Sequence, residues 1–581
     1  MPLMEGIPIS PGYAVGVTIN YGIEVERRIE VPRRSITEGE VDGECVRLDD
    51  ALARANLHLE ELEHSISTEP HQIESAALLT AHSMLATEVA GLVRKHIGME
   101  FVNVEQALHS VISAFVEQFK GLPSEYLRER EQDVRDVGRR MMRQLAGTAL
   151  PIHQALPENS IVVACELLPS ETIELARAGV VAIVTERGGT HSHTAIVARS
   201  CGIPAVTGLR DVTSLIPAGT RLLVDGESGQ VLTEPTDVEE RLFTVRALKY
   251  QRAQDAAAAD SRQPCVTRDG VQFSLLGNIG HSDDVNGVLQ HDLEGVGLFR
   301  TELLFLDSEQ RPTFEQQFET YSRIASTLEG RPFVVRTFDL GGDKVPPFLL
   351  NESLSAHTSL HLRGLRFSLA EQQLLETQVR AITEVAQEVD VRILFPMVIG
   401  IDDFSRAIAV VDRVIADSQL IRRPQVGAMI ETPAALFALD EILEIADFVT
   451  IGTNDLTQYL LAADRDLTVE PDDCSVLHPA VLRAIDQIVV AARQRDCAVC
   501  VCGEDAGNED FACLLMGLGV TELSMSPARA PSVRHALRHI DSAEAQQLAE
   551  QALCCQAPQQ VRSAIHEFRK RQVPVVFRSA D

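Results

Sequence analysis

The stretch VGAMIETPAALFALDEILEIADFVTIGTNDL, residues 426–456, decides the fold of the C-terminal half of the chain. It contains two short apolar runs, VGAMI and FVTI, and each leads into polar residues and a helical segment. Six further runs of this kind follow residue 264: FSLLGNIG, GVGLFRTEL, FVVRTFDLGG, RILFPMVIG, AVCVCGEDAG and LSMSPA. Eight β-rich runs that alternate with helical segments over roughly 300 residues predict a TIM (β/α)8 barrel.

The C-terminal ends of barrel strands are where the active site of this fold collects. Here those ends carry many polar side chains: Asn278, Arg300, Glu302, Arg336, Asp339, Glu431, Asn454, Asp455, Cys502 and Glu504. Any one of them has an alternative reading as a solvated loop residue. Together, arginines and carboxylates at one mouth provide an anion clamp and hard oxygen ligands for Mg²⁺. This combination suits a phosphorylated small acid, whereas a neutral sugar would need neither.

The composition narrows the class of protein. A length of 581 residues predicts three or four folding units, or fewer if one is a large barrel. Hydrophobic residues make up 45% of the chain and the mean hydropathy is +0.02, which is enough for packed interiors. A formal net charge of −32 repels nucleic acids and anionic lipids, so we expect neither as a partner. A small basic protein fits this charge better.

The sequence also predicts a cytoplasmic protein. No apolar run approaches the length needed to cross a bilayer, and the start MPLMEGIPISPG lacks the features of a signal peptide. The 11 cysteines are odd in number and scattered, as expected for reduced thiols. Cys497, Cys500 and Cys502 form a short cluster, but their alternation in AVCVCG favours a buried strand over a zinc site.

The N-terminal half divides into a helical region and an α/β region. Apolar residues from Val41 to Ile66 step by four and three, which places them on one face of a long helix, and Thr37 and Glu40 stand at capping-box spacing before it. Further helical patterns follow up to Gly147. After Pro151, β-rich runs such as SIVVACE, GVVAIVTE and RLLVDG indicate a small α/β domain. A second capping box, Thr236 with Glu239, begins a polar, Ala-rich segment that predicts a connecting helix.

A glycine-rich turn in ERGGTHSHTAIVARSCGIP, residues 186–204, separates a strand from a helix that starts near Ser192. His193 should therefore lie close to a helix N-terminus, where exposed amides and the helix dipole stabilise negative charge. An imidazole there could carry a phosphoryl group. A metal pair with His191 is a weaker interpretation, because two ligands on one loop make a poor zinc site. A structural histidine that closes the turn remains an equal alternative on the residues alone.

These motifs resemble Enzyme I of the phosphoenolpyruvate-dependent sugar phosphotransferase system, and the resemblance runs from GIPISPG to the C-terminus. GGTHSHTAIVARS resembles its phosphohistidine signature, GVGLFRTELLF and VVRTFDLGGDK its arginine strands, and MIETPAA with IGTNDLTQYLLAADR its metal and substrate strands. SEYLREREQDVRDVGRR resembles its helical domain. The related ATP-using dikinases and synthases need an ATP-binding domain, for which this chain has no room.

The resemblance implies a multidomain α/β fold. A helical domain that binds the phosphocarrier HPr, residues 37–147, is inserted in an α/β phosphohistidine domain, residues 1–36 and 148–235. A connecting helix at 236–263 leads to a TIM barrel at 264–581 that binds phosphoenolpyruvate and forms a homodimer.

The resemblance also implies residue roles. His193 would accept the phosphoryl group, and Cys502 would protonate the enolate carbon to give pyruvate. Glu431 and Asp455 would bind Mg²⁺. Phosphoenolpyruvate would be held by Arg300, Arg336, Arg363, Asn454 and Arg465. HPr or an HPr-like carrier would dock on the helix that contains AHSMLATE, with His82 and Leu85 as candidate contacts.

Three departures from the family pattern bear on activity. His191 replaces the usual Ser, Thr or Asn, and Leu168 in CELLPSE replaces a Thr or Ser. The stretch HTSLHLRGLR, residues 357–366, keeps Arg363 but lacks the family's Asn, Pro and Gly. We hypothesise that His191 replaces the missing hydroxyls as a hydrogen-bond partner of His193. The departures also motivate an alternative, a low-activity regulatory paralogue that binds carrier or phosphoenolpyruvate.

Overall fold

The computed structural model describes residues 3–21, 33–66, 73–119, 125–146, 156–189, 193–306, 308, 310–340, 346, 348, 363–463 and 473–572. The chain forms two compact units, residues 1–253 and residues 254–581. Among the described residues, no helix is both long enough and apolar enough to cross a membrane. All 11 cysteines lie in the described ranges, and none forms a disulfide.

Four long helices follow one another in the first unit: α1 (Val41–Ile66), α2 (Ile73–Glu100), α3 (Val104–Phe119) and α4 (Glu125–Ala146). Their apolar faces share one core, in which Leu48, Val93 and Leu108 are fully buried. The predicted cap precedes α1, where the backbone N–H of Thr37 donates to Glu40 Oε2 at 2.8 Å. The step of apolar residues along α1 therefore does mark a buried face.

An eight-stranded sheet forms the rest of this unit, in the order β1-β8-β7-β3-β4-β5-β6-β2. Its strands are β1 (Leu3–Glu5), β2 (Ile7–Ser10), β3 (Tyr13–Tyr21), β4 (Ser160–Ala164), β5 (Ala182–Thr185), β6 (Ala205–Thr207), β7 (Arg221–Asp225) and β8 (Gln230–Thr233). Strands β3 to β6 are parallel, and the remaining pairs are antiparallel. The chain inserts α1–α4 between β3 and β4, which pair directly.

The helices of the α/β part are α5 (Pro169–Arg177), α6 (His193–Ser200), α7 (Val212–Leu215) and α8 (Asp237–Asp260). The predicted capping box begins α8: the Thr236 N–H donates to Glu239 Oε2 at 2.7 Å, and the Glu239 N–H donates to Thr236 Oγ1 at 3.4 Å. Buried hydrogen bonds from the Ser170 N–H (3.1 Å) and Ser170 Oγ (2.6 Å) to Asp136 join α5 to α4.

The second unit contains a closed barrel of eight parallel strands. These are β9 (Ser274–Ile279), β10 (Val296–Arg300), β11 (Phe333–Arg336), β12 (Val391–Phe395), β13 (Val426–Ile430), β14 (Phe448–Ile451), β15 (Ala498–Val501) and β16 (Glu522–Met525). Strand β16 pairs with β9 and closes the barrel. Each strand coincides with one of the eight predicted runs, with β12 and β16 beginning one residue earlier than their runs, so the prediction of a TIM barrel is confirmed. The cysteine cluster brackets β15, as its alternation predicted: Cys500 is buried within the strand, Cys497 precedes it and Cys502 follows it.

Helices surround these strands and extend to the end of the described chain. They are α9 (Val285–Gln290), α10 (Glu302–Leu306), α11 (Phe314–Thr327), α12 (Leu365–Ala370), α13 (Gln372–Val385), α14 (Ile401–Asp417), α15 (Pro433–Phe437), α16 (Leu439–Leu443), α17 (Thr453–Leu461), α18 (Pro479–Gln494), α19 (Glu509–Leu518), α20 (Ala530–Arg538), α21 (Ser542–Cys554) and α22 (Pro558–Gln572). Polar side chains at the C-terminal strand ends therefore share one mouth.

Candidate active site

A buried ion pair connects the ends of β10 and β11. Arg336 Nη2 donates to Glu302 Oε1 at 2.9 Å, and the backbone N–H of Asp339 donates to the same oxygen at 2.8 Å. Burial by itself disfavours the charged guanidinium, but Glu302 and the other carboxylates around it raise the pKa of Arg336 overall. Arg336 therefore remains a cation inside the mouth.

Arg363 lies between two carboxylates from different parts of the barrel. Its Nη2 donates to Asp339 Oδ2 at 3.1 Å and to Asp455 Oδ2 at 3.3 Å, and its Nη1 lies 3.1 Å from Asp455 Oδ1. Nη1 also donates to the hydroxyl of Tyr459 at 3.1 Å. Burial opposes the charge of Arg363, but Asp339 and Asp455 raise its pKa overall.

Glu431 follows β13 and is almost completely buried, with 1% of its surface exposed. Its Oε1 accepts a hydrogen bond from the Met397 N–H at 2.7 Å. Burial, with the negative charges of Asp455 and Asp339 nearby, raises the pKa of Glu431. Gly452 makes room for this carboxylate, because a Cβ at residue 452 would lie 2.4 Å from Glu431 Oε2.

The charges at the mouth do not balance within the described residues. Arg336 and Arg363 lie among four carboxylates, which are Glu302, Asp339, Glu431 and Asp455. Counted in their ionised forms, these groups leave an excess of two negative charges, and the ion pair of Arg300 with Glu504 does not change that excess. A divalent cation would balance this excess, and carboxylate oxygens are the ligands that Mg²⁺ prefers. The carboxylates present therefore fit a divalent cation.

Arg300 is the most accessible arginine at the mouth. Its side chain is 38% exposed and lies 3.3 Å from Glu504, which is itself half exposed. Asn454 holds the same loop, because its Oδ1 accepts from the Glu504 N–H at 3.2 Å. A solvent-facing guanidinium paired with a half-exposed carboxylate can exchange that partner for an incoming anion at little cost.

Cys502 directly follows β15 and lies in the barrel interior with 2% of its surface exposed. Its Sγ is 3.6 Å from the carbonyl oxygen of Ile451. Asn278, the strand-end amide of β9, donates to the Cys502 carbonyl oxygen at 3.0 Å. Burial first, and then the charge of Glu431, raise the pKa of Cys502 to about 11. The thiol is consequently protonated at neutral pH, as an acid must be.

His193 is the first residue of α6, as the glycine-rich turn predicted for the start of a helix. The neighbouring Thr194 fixes this start, because its buried Oγ1 donates to the Leu167 carbonyl oxygen at 2.8 Å. Leu168 is buried beside it, and the Leu168 N–H donates to Glu171 Oε2 at 3.0 Å. The helix start and the CELLPSE loop are thus adjacent, which places the unusual Leu168 near the phosphohistidine candidate.

Several predicted residues lie outside what the structure describes. They are Arg465, His191, residues 357–362 of HTSLHLRGLR and the imidazole of His193. The hypothesis that His191 bonds to His193 therefore stays a prediction.

The two candidate carrier contacts on α2 differ in exposure. Leu85 is half-buried against the helical core, but His82 is only 2% exposed. His82 Nε2 lies 3.1 Å from Asp133 Oδ1, and its Nδ1 lies 3.8 Å from Asp136. His82 on α2 therefore contacts two carboxylates of α4 inside the helical core. A side chain that is this buried has little surface for a direct contact with a carrier.

Three features of the mouth were absent from the sequence prediction. The Tyr459 hydroxyl, the Met397 N–H and the small residue Gly452 each contact a predicted site residue. Tyr459 lies four residues after Asp455 on α17, so helical spacing was a signal that could have identified it. The Met397 amide gave no such signal, since a backbone donor can belong to any residue.

Comparisons with known proteins agree with this geometry. Three family models match: PEP-utilising enzyme, N-terminal, at residues 5–130; PEP-utilising enzyme, mobile domain, at 156–229; and PEP-utilising enzyme, PEP-binding domain, at 254–542. Phosphoenolpyruvate-protein phosphotransferases of Enterococcus faecalis and Bacillus subtilis are each 34% identical to the chain. Each alignment covers 98% of this chain and 100% of the relative. One from Streptococcus equinus is 35% identical over 97% of this chain and 99% of that protein. The chain therefore belongs to the phosphoenolpyruvate-protein phosphotransferase family of PEP-utilising enzymes.

Proposed function

We propose that the chain transfers a phosphoryl group from phosphoenolpyruvate to its own His193 and then to a histidine of HPr or an HPr-like carrier. The observation that supports this most strongly is the buried arrangement of two arginines among four carboxylates at the barrel mouth. Few substrates other than an anion bound together with a divalent cation suit such a site.

Anion binding is assigned first to Arg300, because its only described ion-pair partner, Glu504, is half exposed. Asn454 and Arg465 complete this part of the proposed site. Arg336 and Arg363 are held by carboxylates, so they present fixed positive charge without reorganising during the reaction. When bound at Glu431 and Asp455, Mg²⁺ would neutralise charge on the phosphoryl oxygens.

Two residues of the chain carry the covalent chemistry in this proposal. A nitrogen of His193 forms a bond to phosphorus as the bond between phosphorus and the enol oxygen breaks, which leaves the enolate of pyruvate. Cys502 then donates its Sγ proton to the methylene carbon. Its pKa of about 11 keeps that proton in place at neutral pH until the enolate forms.

The position of His193 at the first residue of α6 supports its role as the phosphoryl carrier. Exposed amides and the dipole at a helix N-terminus stabilise an added negative charge. From the family resemblance we assign carrier docking to the helical region, with Leu85 as the remaining candidate contact. The net charge of −32 favours a basic partner. A homodimer through the barrel and a cytoplasmic location complete the proposal and follow from the family resemblance.

A burst of pyruvate tests this function. With phosphoenolpyruvate and Mg²⁺ but no carrier, wild-type protein should release one equivalent of pyruvate per chain and then stop, because His193 is used once. His193→Ala should release none, and His566→Ala, at an exposed histidine on α22, should behave as wild type. Absence of the burst from wild type, with carrier binding retained, would instead support the low-activity regulatory paralogue.

A further inference from the structure

Asp260, His535 and His539 form a cluster away from the barrel mouth. One ligand atom from each residue lies within 4.8 Å of the other two. His535 Nδ1 is 2.6 Å from Asp260 Oδ2, and His539 Nδ1 is 3.8 Å from the same oxygen. The two imidazole rings are 4.2 Å apart between centroids. Both histidines therefore converge on one carboxylate oxygen.

The ends of two helices meet at this cluster. Asp260 is the last residue of α8, and His539 is the C-cap of α20. Each helix C-terminus carries a partial negative charge, so two of them in contact favour a bound cation. Arg538 contributes one positive charge, but its Nε approaches Asp260 Oδ1 at 3.6 Å and leaves Oδ2 to the histidines.

The surrounding backbone holds the cluster in place. The Arg268 N–H donates to the Ile540 carbonyl oxygen at 3.1 Å, and the Ser542 N–H donates to Asp269 Oδ1 at 3.1 Å. Arg534, almost fully buried, anchors α20 through hydrogen bonds of 2.7 Å and 2.8 Å to the carbonyl oxygens of His291 and Asp292. The ligand residues are thus attached to fixed elements, which lowers the cost of ordering them around an ion.

We propose that Asp260, His535 and His539 form a second metal site, selective for a borderline transition-metal ion such as Zn²⁺. Two imidazoles and one carboxylate suit Zn²⁺, whereas Mg²⁺ prefers oxygen ligands alone. Tetrahedral Zn²⁺ separates its ligand atoms by about 3.3 Å, given metal–ligand distances of about 2.0–2.1 Å. The contacts of 2.6 Å and 3.8 Å to Asp260 Oδ2 bracket that separation.

Binding requires two local changes. The ion replaces the proton shared by His535 Nδ1 and Asp260 Oδ2. His539 gives up the 2.8 Å bond between its Nδ1 and the His535 carbonyl oxygen. Exposed fractions of 31% for His535 and 53% for His539 leave a path from solvent and room for a water ligand. The bound ion then ties the end of α8 to α20.

Co²⁺ is the probe for this site, because its visible spectrum reports coordination number and ligand type. The full chain, freed of metal with a chelator and kept in excess Mg²⁺, is titrated with Co²⁺ and then with Zn²⁺. We expect a tetrahedral-type spectrum that Zn²⁺ abolishes. Asp260→Asn, His535→Ala and His539→Ala should each weaken binding by roughly tenfold or more, and His566→Ala should leave it unchanged.

The Asp260→Asn variant is decisive, since any surface pair of histidines four residues apart on a helix can bind Co²⁺. Binding as tight as wild type in Asp260→Asn would reduce the site to such a pair and overturn the proposal. Retention of the spectrum in His535→Ala, or a dominant sulfur charge-transfer band from the cysteines, would overturn it as well. If His535→Ala does not fold, Co²⁺ binding by His535→Gln is compared with that of wild type instead, because the glutamine keeps a side-chain amide near Asp260.

Discussion

Arg363 and Asp455 form a two-point ion pair across the barrel mouth, with Nη1 3.1 Å from Oδ1 and Nη2 3.3 Å from Oδ2. The pair joins a proposed substrate-binding residue to a proposed metal ligand. The planar guanidinium matches the carboxylate at two points, a geometry that an ammonium group cannot reproduce. Changes to either side chain should therefore alter both substrate use and the metal site.

Arg363→Lys tests this relationship with the charge preserved. The substitution should slow phosphorylation of the chain by phosphoenolpyruvate by roughly 10²-fold or more, because both contacts to Asp455 depend on the guanidinium. Rates are measured at several concentrations of phosphoenolpyruvate and Mg²⁺. Arg406→Lys, at an exposed position on α14, is the matched control. A rate for Arg363→Lys within a factor of about two of wild type would contradict this account.

Gly452→Ala tests the space beside Glu431. The added methyl group would lie 2.4 Å from Glu431 Oε2, so the carboxylate must move. The Mg²⁺ concentration that gives half of the maximal phosphorylation rate should rise by roughly tenfold or more. Gly400→Ala is the control, since its nearest neighbour would be the Ala438 Cβ at 3.7 Å, an ordinary contact. Equal Mg²⁺ dependence in both variants would show that Glu431 does not bind the ion.

Cys502 should resist alkylation between pH 7 and pH 9. Its pKa of about 11, raised by burial and by Glu431, leaves little thiolate in this range, and only 2% of the residue is exposed. Exposed Cys554 is the internal reference. Mass spectrometry after treatment with iodoacetamide should find Cys554 modified at least about tenfold faster. Comparable rates at pH 8 would mean that Cys502 is neither buried nor held as a neutral acid.

Glu174 should make the first unit less stable as pH rises. Burial is the main cause that raises its pKa from 4.5 to about 7, against the opposing charge of Arg140. The folded chain therefore holds a proton that the unfolded chain releases between pH 4.5 and pH 7, and stability falls across this window. The loss in the free energy of unfolding is at most about 3.4 kcal/mol.

Glu174→Gln removes that ionisation. Relative to wild type, the melting temperature of the variant should rise between pH 5 and pH 8, as followed by calorimetry of the full chain. Glu88→Gln, on the exposed face of α2, controls for the general loss of one charge. Parallel pH profiles for wild type and Glu174→Gln would show that Glu174 ionises normally in the folded protein.

The sequence was sufficient to predict the barrel, because each of its strands is a short apolar run that ends in polar residues. It also located Glu302 and Asp339 at the mouth as strand-end residues. Their function as partners of Arg336 and Arg363 could not be predicted, since ion pairs between different strands depend on how the barrel closes. The strands β1–β3 were not identified individually, although β3 lies between β7 and β4 in the sheet.

The burial of His82 was also beyond prediction. The stretch AALLTAHSMLATEVAGLV is apolar on several faces of α2, so periodicity does not show which side meets the core. Asp260 and His535 are 275 residues apart, and only the end of α8 against α20 brings them together. Such contacts depend on tertiary packing and leave no local pattern in the sequence.

The most direct test of the central claim is to locate the phosphoryl group. The full chain is incubated with radiolabelled phosphoenolpyruvate and Mg²⁺, digested at alkaline pH and mapped peptide by peptide. We predict acid-labile label on the peptide that contains His193, and none on the corresponding peptide of His193→Ala. Label on another residue, or none on wild-type protein, would contradict the proposed phosphohistidine mechanism.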